Sequence, residues 1–457
     1  MTELALFGGP AAVDNQAHVA WPNVGAEERQ AVQRVLDRAV FSGSFAPEST
    51  AFESEFASYV GAKHALLAGS GTAALQLALA ASGIGAGDHV IVPAYSFVAT
   101  PLSVLHVGAI PIFADVDPET GLMRPEDAAP LVTDKTRAIM PVHVHGCAFD
   151  VAGFLELCKV KKLDLIEDAA QAHGATFDGR PVGALGKAGG FSLQSSKNLG
   201  IGEGGVFVTN DDAIAEAANR IRNFGQNIGL EGKAGFDPRR PLDGHKPMES
   251  QRIGWMYRGN EMAAAFARAA LAKLPERTAL AQKNAERLSA RLAELPGVLP
   301  QPAPKGGTTV HHKYRVRLDP KRAGLPLSPR VLRDAMIAAL RAEGLEVVLW
   351  QVAPLPAQSV FQTREGFGRA HGQTTGDGWP WSMDRATDFA SLYAPARFGN
   401  TQALLDGSLL LFSQTCPLIA QPASVVDAYA DAFAKVWHRR DALVGWAEKQ
   451  GLTDRAR

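Results

Sequence analysis

The 457-residue chain sets 46 Lys and Arg against 47 Asp and Glu, a formal net charge of -1, and is 46% hydrophobic and 20% charged. That balance provides no global field to attract nucleic acid or an anionic membrane, and the composition is that of an ordinary globular protein of two or three domains. Cys147, Cys158 and Cys416 are too few and scattered for a disulfide framework or metal cluster, and no apolar run reaches the roughly 20 residues of a membrane helix. The start, MTELALFGGPAAVDNQ, lacks the basic and apolar regions of a signal peptide, so a cytoplasmic protein is expected.

Helical spacing of apolar residues appears first in EERQAVQRVLDRAV and TAFESEFASYV. LLAGSGTAALQLALAA, residues 66–81, passes from an apolar run through Gly69, Ser70, Gly71 and Thr72 into strong helix formers. HVIVPAYS, AIPIFADVD, RAIMPVHVHG and LDLIEDAAQ are apolar runs of strand length, separated by helical stretches such as ATPLSVLHVG and VAGFLELCKVKK. This alternation predicts an α/β fold, with a mostly parallel sheet between helices and its polar, ligand-binding residues at the C-terminal strand ends. NEMAAAFARAALAKL and RTALAQKNAERLSARLAEL then predict one or two extended helices, HHKYRVRL a strand and PRVLRDAMIAALRAEG a further helix. A boundary near residue 285 is expected, between a large domain (1–285) and a smaller C-terminal α+β domain (286–457). The smaller domain carries a Gly, Pro and Trp-rich insertion at about 354–400, and Trp379 and Trp381 within it suit either a lid over a sugar or a packed insertion.

Three segments carry candidate chemistry. Glycines at 69 and 71 permit close approach of backbone to a ligand, and a helix start favours an anion, although Ser70 and Thr72 equally suit plain capping. The spacing excludes a Walker loop, and no G-x-G-x-x-G follows the first strand as a dinucleotide fold requires. In LDLIEDAAQAHGA a strand ends in Glu167 and Asp168, followed by Gln171 and His173. Such a carboxylate either caps the next helix or pairs with something basic, and His173 suits a structural histidine. In GGFSLQSSKNLGIGEGGVFVTND, Lys197 lies among Ser195, Ser196 and glycines, where a solvated turn is the simplest reading. An anion site, a strand-end carboxylate and a loop lysine, in that order, also suit pyridoxal 5'-phosphate. That cofactor needs a phosphate cradle, a carboxylate facing its pyridinium nitrogen and a lysine that forms a Schiff base.

These segments, together with PAYSFVAT, FADVDPETG and GEGGVFVTND, resemble the DegT/StrS-type sugar aminotransferases, from about Phe7 to the helix after Asn260. The resemblance implies the aspartate-aminotransferase-like fold (fold type I), with a seven-stranded-type sheet. It implies Lys197 as the Schiff-base lysine and Asp168 as the partner of the pyridine nitrogen. Gln171 would lie near the phenolic oxygen, Gly71, Thr72 and Ser192 would contact the phosphate, and Phe97 would stack on the ring, though Phe97 by itself suits a core position. In GWMYRGNEM the family commonly has an asparagine that reaches the neighbouring subunit's cofactor phosphate. Met256 stands there instead, while Tyr257 and Arg258 remain candidates for substrate. His143, His145, His311 and His312 are further candidates for substrate hydroxyls, and no metal site is expected.

The implied enzyme is a homodimer with shared active sites. It moves an amine from glutamate or glutamine to a keto-sugar or keto-cyclitol through a pyridoxamine phosphate form. FSLQSSKNL resembles the inosose branch of the family, and nucleotide-linked keto-sugars are the common alternative. A cofactor-binding sensor without turnover is the competing reading from another class.

Overall fold

The computed structural model describes residues 3–43, 46–230, 249–367 and 377–452. Seven strands form the main sheet: β1 (His64–Ala68), β2 (His89–Pro93), β3 (Ile110–Ala114), β4 (Thr136–Ile139), β5 (Asp164–Asp168), β6 (Ala188–Ser192) and β7 (Gly205–Thr209). Their spatial order is β1-β7-β6-β5-β4-β2-β3. From β3 to β6 all neighbours are parallel, and β7 runs antiparallel to both β1 and β6. This is the mostly parallel sheet that the apolar runs predict, and β2, β3, β6 and β7 are buried along their whole length.

RAIMPVHVHG is shorter as a strand than its apolar pattern suggests. β4 stops at Ile139, because Pro141 has no N–H to extend the ladder, and Val144–Gly146 turns as a short 3-10 helix. The Pro141 carbonyl still accepts from the Asp168 N–H at 3.1 Å, which holds the end of β5 in the sheet.

The two helical runs after Asn260 form a single helix of 32 residues, Glu261–Leu292, capped by Asn260 Oδ1 on the Ala263 N–H (2.8 Å). It packs on the N-terminal helices Ala26–Arg38 and Pro47–Val60 at one end of its path and on Ala423–His438 at the other. It is therefore the physical link to a second, four-stranded sheet. That sheet is built from β8 (Val298–Pro300), β9 (Tyr314–Leu318), β10 (Val347–Val348) and β11 (Ser408–Leu411), all antiparallel, in the order β8-β9-β11-β10. One continuous apolar core joins both sheets. Among the described residues no helix is long and apolar enough to cross a membrane.

The Trp-rich stretch packs down on the main sheet, and its residues 368–376 lie outside the described residues. Trp381 is 1% exposed, and its Nε1 donates to the Tyr393 hydroxyl, which in turn donates to the Pro111 carbonyl at 2.7 Å. Phe113 of β3 meets Phe361, Tyr393 and Phe398 edge-on. Asp384 accepts from Lys135 Nζ (2.6 Å) and Thr387 Oγ1 (2.6 Å), with His89 Nε2 at 2.9 Å. Burial opposes its charge, but these hydrogen bonds outweigh burial and hold the carboxyl far below the usual range.

Asp384→Ala is expected to cost about 2–3 kcal/mol, less than breaking a fully enclosed pair because Lys135 keeps access to water. Since the folded pKa is depressed, this contribution is present above the unfolded carboxylate value near 4 and fades as pH falls below it. Denaturant titration at pH 7 and at pH 3.5 checks both, with the wild-type advantage shrinking at the lower pH.

Candidate active site

A cavity of about 440 Å³ opens at the C-terminal ends of β5 and β6, within the range of small-molecule and cofactor sites. Its wall includes Gly71, Thr72, Phe97, Asp168, Gln171, Ser192, Lys197 and His312. These eight come from segments more than 240 positions apart in sequence (71 to 312), so only the fold brings them together.

The pleat of β5 separates its two terminal carboxylates, since successive side chains face opposite sides of a sheet. Glu167 turns away from the cavity, where it accepts from the N–H groups of Gly183 (2.7 Å), Leu185 (2.6 Å) and Gly186 (2.7 Å) and pairs with His143 Nε2 at 3.1 Å. Burial opposes its ionisation, but these partners prevail and its pKa is lowered. Asp168 faces the cavity. Its Oδ2 accepts from Thr100 Oγ1 at 2.7 Å and its Oδ1 from the Ala170 N–H at 3.1 Å. Thr100 spends its one proton on Asp168, so Ser96 Oγ, 2.7 Å away, donates to Thr100. Burial raises the Asp168 pKa despite the Thr100 and Ala170 hydrogen bonds and the charge of Lys197, so a cation placed against it would be strongly favoured.

Lys197 sits at the tip of the β6–β7 connection. Leu193 and Ser195 donate their N–H groups to Gly204 and Gly202 (2.8 Å each), which continues the antiparallel pairing beyond the strands. Gln194 then closes the turn: its carbonyl accepts from the Lys197 N–H, and its Oε1 accepts from Ser196 N (2.9 Å) and Ser196 Oγ (2.7 Å). Ser195 Oγ donates to the Gly202 carbonyl at 3.3 Å. A Cβ on Gly200 would stand 2.2 Å from the Ser195 carbonyl oxygen, so the tightness of this turn requires glycine there. Two anchors fix the tip from outside: Trp21 Nε1 donates to the Lys197 carbonyl (3.0 Å), and Asn198 Nδ2 to the Val310 carbonyl (2.9 Å). The Lys197 amine borders the cavity and is otherwise enclosed by protein, with no hydrogen bond or ion pair formed among the described residues. Burial lowers its pKa to about 8, against the opposing pull of Asp168.

The helix Gly71–Ala81 begins directly on β6. A Cβ on Gly71 would lie 2.6 Å from Ser192 Cβ, so glycine alone lets helix start and strand end meet. Ser70 is the N-cap, accepting from the Ala73 N–H at 3.0 Å, and its hydroxyl therefore serves the helix. The Gly71 and Thr72 N–H groups form no hydrogen bond among the described residues, and with the Thr72 and Ser192 hydroxyls they line the cavity at the positive helix end, where an anion is favoured. Phe97 is 55% exposed and lines the cavity, so its ring is not a core element. Gln171 Oε1 accepts from the His145 N–H (2.8 Å), which leaves its NH₂ to donate. His312 is 1% exposed with both ring nitrogens unpartnered, a buried polar group that a ligand would satisfy.

Several candidates lie elsewhere. His143 is fully buried on the Glu167 side, stacked on Phe149 with ring centroids 4.0 Å apart, and its Nδ1 accepts from the Phe149 N–H at 3.3 Å. His145 Nε2 is 2.7 Å from the Tyr95 hydroxyl, and its ring meets Trp350 behind the cavity wall. His173 packs against Phe191 in the core, where burial takes its pKa to about 3. Tyr257 stacks on Trp255 and Arg258 donates to Asn223 Oδ1 at 2.9 Å, both beside the end of β1 and outside this cavity. The sequence reading did not single out Ser96, Thr100, Gln194, Lys313, Trp350 and Gln414, all of which line the cavity. Ser96 and Thr100, inside PAYSFVAT, and Gln194, inside FSLQSSKNL, lie within motifs, whereas Lys313, Trp350 and Gln414 come from segments with no chemical motif of their own.

The profile of the DegT/DnrJ/EryC1/StrS aminotransferase family matches residues 22–376. L-glutamine:2-deoxy-scyllo-inosose aminotransferase of Streptomyces lividus is 40% identical over 325 residues, 69% of this chain and 74% of that one. The enzyme of the same description from Streptomyces fradiae is 37% identical over 379 residues, 80% of this chain and 85% of that one. The crystal structure of 3-amino-5-hydroxybenzoic acid synthase superposes with a TM-score of 0.75 at 28% identity, covering 92% of this chain and 99% of that one.

The lowered pKa of Lys197 predicts that, in ligand-free protein, reductive methylation at this residue has its midpoint near pH 8. Surface lysines should stay near 10.4. Asp168→Asn removes the charge that holds the proton and should move the midpoint lower still. Peptide mass spectrometry across a pH series reads both values.

Proposed function

The chain belongs to the DegT/DnrJ/EryC1/StrS aminotransferase family, and we propose that it moves an amino group from glutamine or glutamate to a keto-cyclitol or keto-sugar with pyridoxal 5'-phosphate as cofactor. It is a fold type I aminotransferase. The observation that carries the proposal is a single cavity that brings together a half-buried lysine whose pKa is lowered to about 8, a buried carboxylate without a cation bonded to it, and unpaired N–H donors at a helix start.

Those residues fit the cofactor. The cradle of Gly71, Thr72 and Ser192 would take its phosphate, Asp168 the ring nitrogen, Gln171 the phenolic oxygen and Phe97 a ring face. Bound there, the cofactor supplies an electron sink and carries the amine between donor and acceptor. Asp168, costly to ionise alone, gains the cation that offsets its burial. Lys197 Nζ, available as a neutral base near pH 8, takes the proton from the donor's α-carbon and returns one to the acceptor's former carbonyl carbon. Thr100 and Ser96 hold Asp168 in place through their hydroxyl relay.

Glutamine as donor and an inosose-like cyclitol as acceptor are favoured by the names of the two Streptomyces relatives. The side-chain amides of Gln194 and Gln414 on the wall are neutral hydrogen-bonding groups that suit an acceptor rich in hydroxyls.

We also propose a homodimer. Ile253 is 90% exposed, Met256 53%, Phe41 47% and Phe224 45%, an apolar set on the side of the chain that carries Tyr257 and Arg258. Pairing there would cover these side chains and direct that segment toward the other copy's cavity, with Met256 unable to donate the hydrogen bond of the family's asparagine.

Purified enzyme should be yellow, and borohydride should fix the cofactor at Lys197. Glutamine should shift the absorption band, and scyllo-inosose or 2-deoxy-scyllo-inosose should restore it. Lys197→Ala should abolish trapping and lower turnover by about 10⁴-fold or more. A colourless protein that cannot be reconstituted would overturn the proposal. Ile253→Glu should shift the sedimentation coefficient toward monomer at micromolar concentration. An unchanged value would remove this face from the dimer.

A further inference from the structure

A second lysine lies in the same cavity. Lys313 is 4% exposed and enters from the short segment before β9, next to His312. Its Nζ donates to Ser413 Oγ at 2.7 Å and forms no ion pair among the described residues. Glu346, the acid whose charge acts on Lys313, has its oxygens occupied elsewhere. It accepts from the N–H groups of Ser413 (3.0 Å), Gln414 (3.1 Å) and Thr415 (3.0 Å), and from Thr415 Oγ1 and Cys416 Sγ (3.1 Å each). Glu346 thus fixes the 413–416 loop that supplies Ser413 to Lys313 and Gln414 to the cavity. Burial, then the charge of Lys197, lowers the Lys313 pKa to about 8, with Glu346 opposing. Two ammonium donors of Lys313 remain uncommitted, and the unpartnered His312 ring adjoins them.

A buried cation with no acid bonded to it is expensive unless an anion arrives. With glutamine as donor and a cyclitol as acceptor, the reaction brings two anions into the cavity. The cofactor phosphate has its own cradle on the helix start and Ser192, in the large sheet's half of the site. The other anion is the carboxylate of the amino donor, which is attached to the very carbon whose proton Lys197 handles. We propose that Lys313, held by Ser413, binds the α-carboxylate of the amino donor, with His312 and Gln414 completing that subsite. The assignment rests on the aminotransferase reading above and specifies where the donor is recognised. It gives Lys313 a binding role distinct from the proton transfer of Lys197. It also makes donor recognition a property of the small sheet and its 413–416 loop, while the cofactor is held by the large sheet.

The test uses full-length protein loaded with cofactor and two non-transferable probes: glutaramate, which has glutamine's carboxylate but no amine, and its neutral diamide. Wild-type protein should bind glutaramate measurably more tightly than the diamide by calorimetry. Lys313→Met should weaken glutaramate binding about 10- to 100-fold, as loss of a charge-assisted hydrogen bond implies, and leave diamide binding unchanged. KM for glutamine should rise in parallel, while KM for the keto acceptor, measured on enzyme already carrying the amine, stays at the wild-type value. Ser413→Ala keeps the charge and should give a smaller loss in the same direction, which covers the case in which Lys313→Met does not fold. Equal binding of glutaramate and diamide by wild-type protein would overturn the assignment, as would a Lys313 variant that loses cofactor affinity while retaining donor affinity. Borohydride trapping at Lys197 separates the two levels. Absent trapping strikes the aminotransferase reading, whereas intact trapping with glutaramate binding indifferent to Lys313 strikes the carboxylate subsite alone.

Discussion

Burying Asp168 is the constraint around which the site is organised. A carboxylate enclosed at the end of a central parallel strand loses its hydration, and the loss is tolerable only with hydrogen-bond donors and a positive charge at hand. The Thr100 hydroxyl, backed by Ser96, and the Ala170 N–H supply the donors. The charge comes from Lys197, delivered by a connection that continues the β6–β7 pairing past the strand ends. The antiparallel setting of β7 matters here. A parallel neighbour would need a long crossover, whereas the reversed strand lets a short, tightly bonded turn carry the lysine back over the strand end.

The same constraint divides labour between neighbouring residues. Glu167 and Asp168 are adjacent, yet the pleat gives the first to a nest of loop N–H groups and the second to the cavity. Lys197 is half-buried and Lys313 buried, and one is close to a carboxylate while the other is held by a serine. The cavity wall sets Lys197 and Lys313 against the buried Asp168 and the exposed Glu203, and the helix start at Gly71 adds a further positive pole. These charges come from both sheets, so their spacing depends on how the small sheet docks, through the shared core and the long helix Glu261–Leu292.

Much of this was legible in the sequence. The apolar runs gave the strands, the GSGT start gave the helix terminus, and the order of cradle, carboxylate and lysine suited one cofactor. What was less legible has particular physical reasons. Ser195 and Ser196, beside the lysine, are turn formers whose hydroxyls are spent on Gly202 and Gln194. His143 is a candidate for substrate hydroxyls in a linear reading, but its ring is consumed by Glu167 and Phe149. Phe97, which suits a core by composition, stands exposed because the strand end that carries it opens onto the cavity. Lys313 had no motif at all. Its meaning comes from Ser413, one hundred positions later, and from Glu346, whose oxygens are taken by the 413–416 loop and form no ion pair with it among the described residues.

By itself the sequence determined the class of architecture, the strand ends on which a ligand would sit and the identity of the chemically competent groups, because periodicity and turn chemistry are local properties. Only the tertiary structure decided which groups share a cavity, which face each carboxylate takes and which amines have a lowered pKa. Those depend on distances between segments hundreds of residues apart and on the loss of water around them. A charged side chain reads the same in sequence whether solvated or buried, and desolvation, a property of the packed fold alone, separates the one from the other.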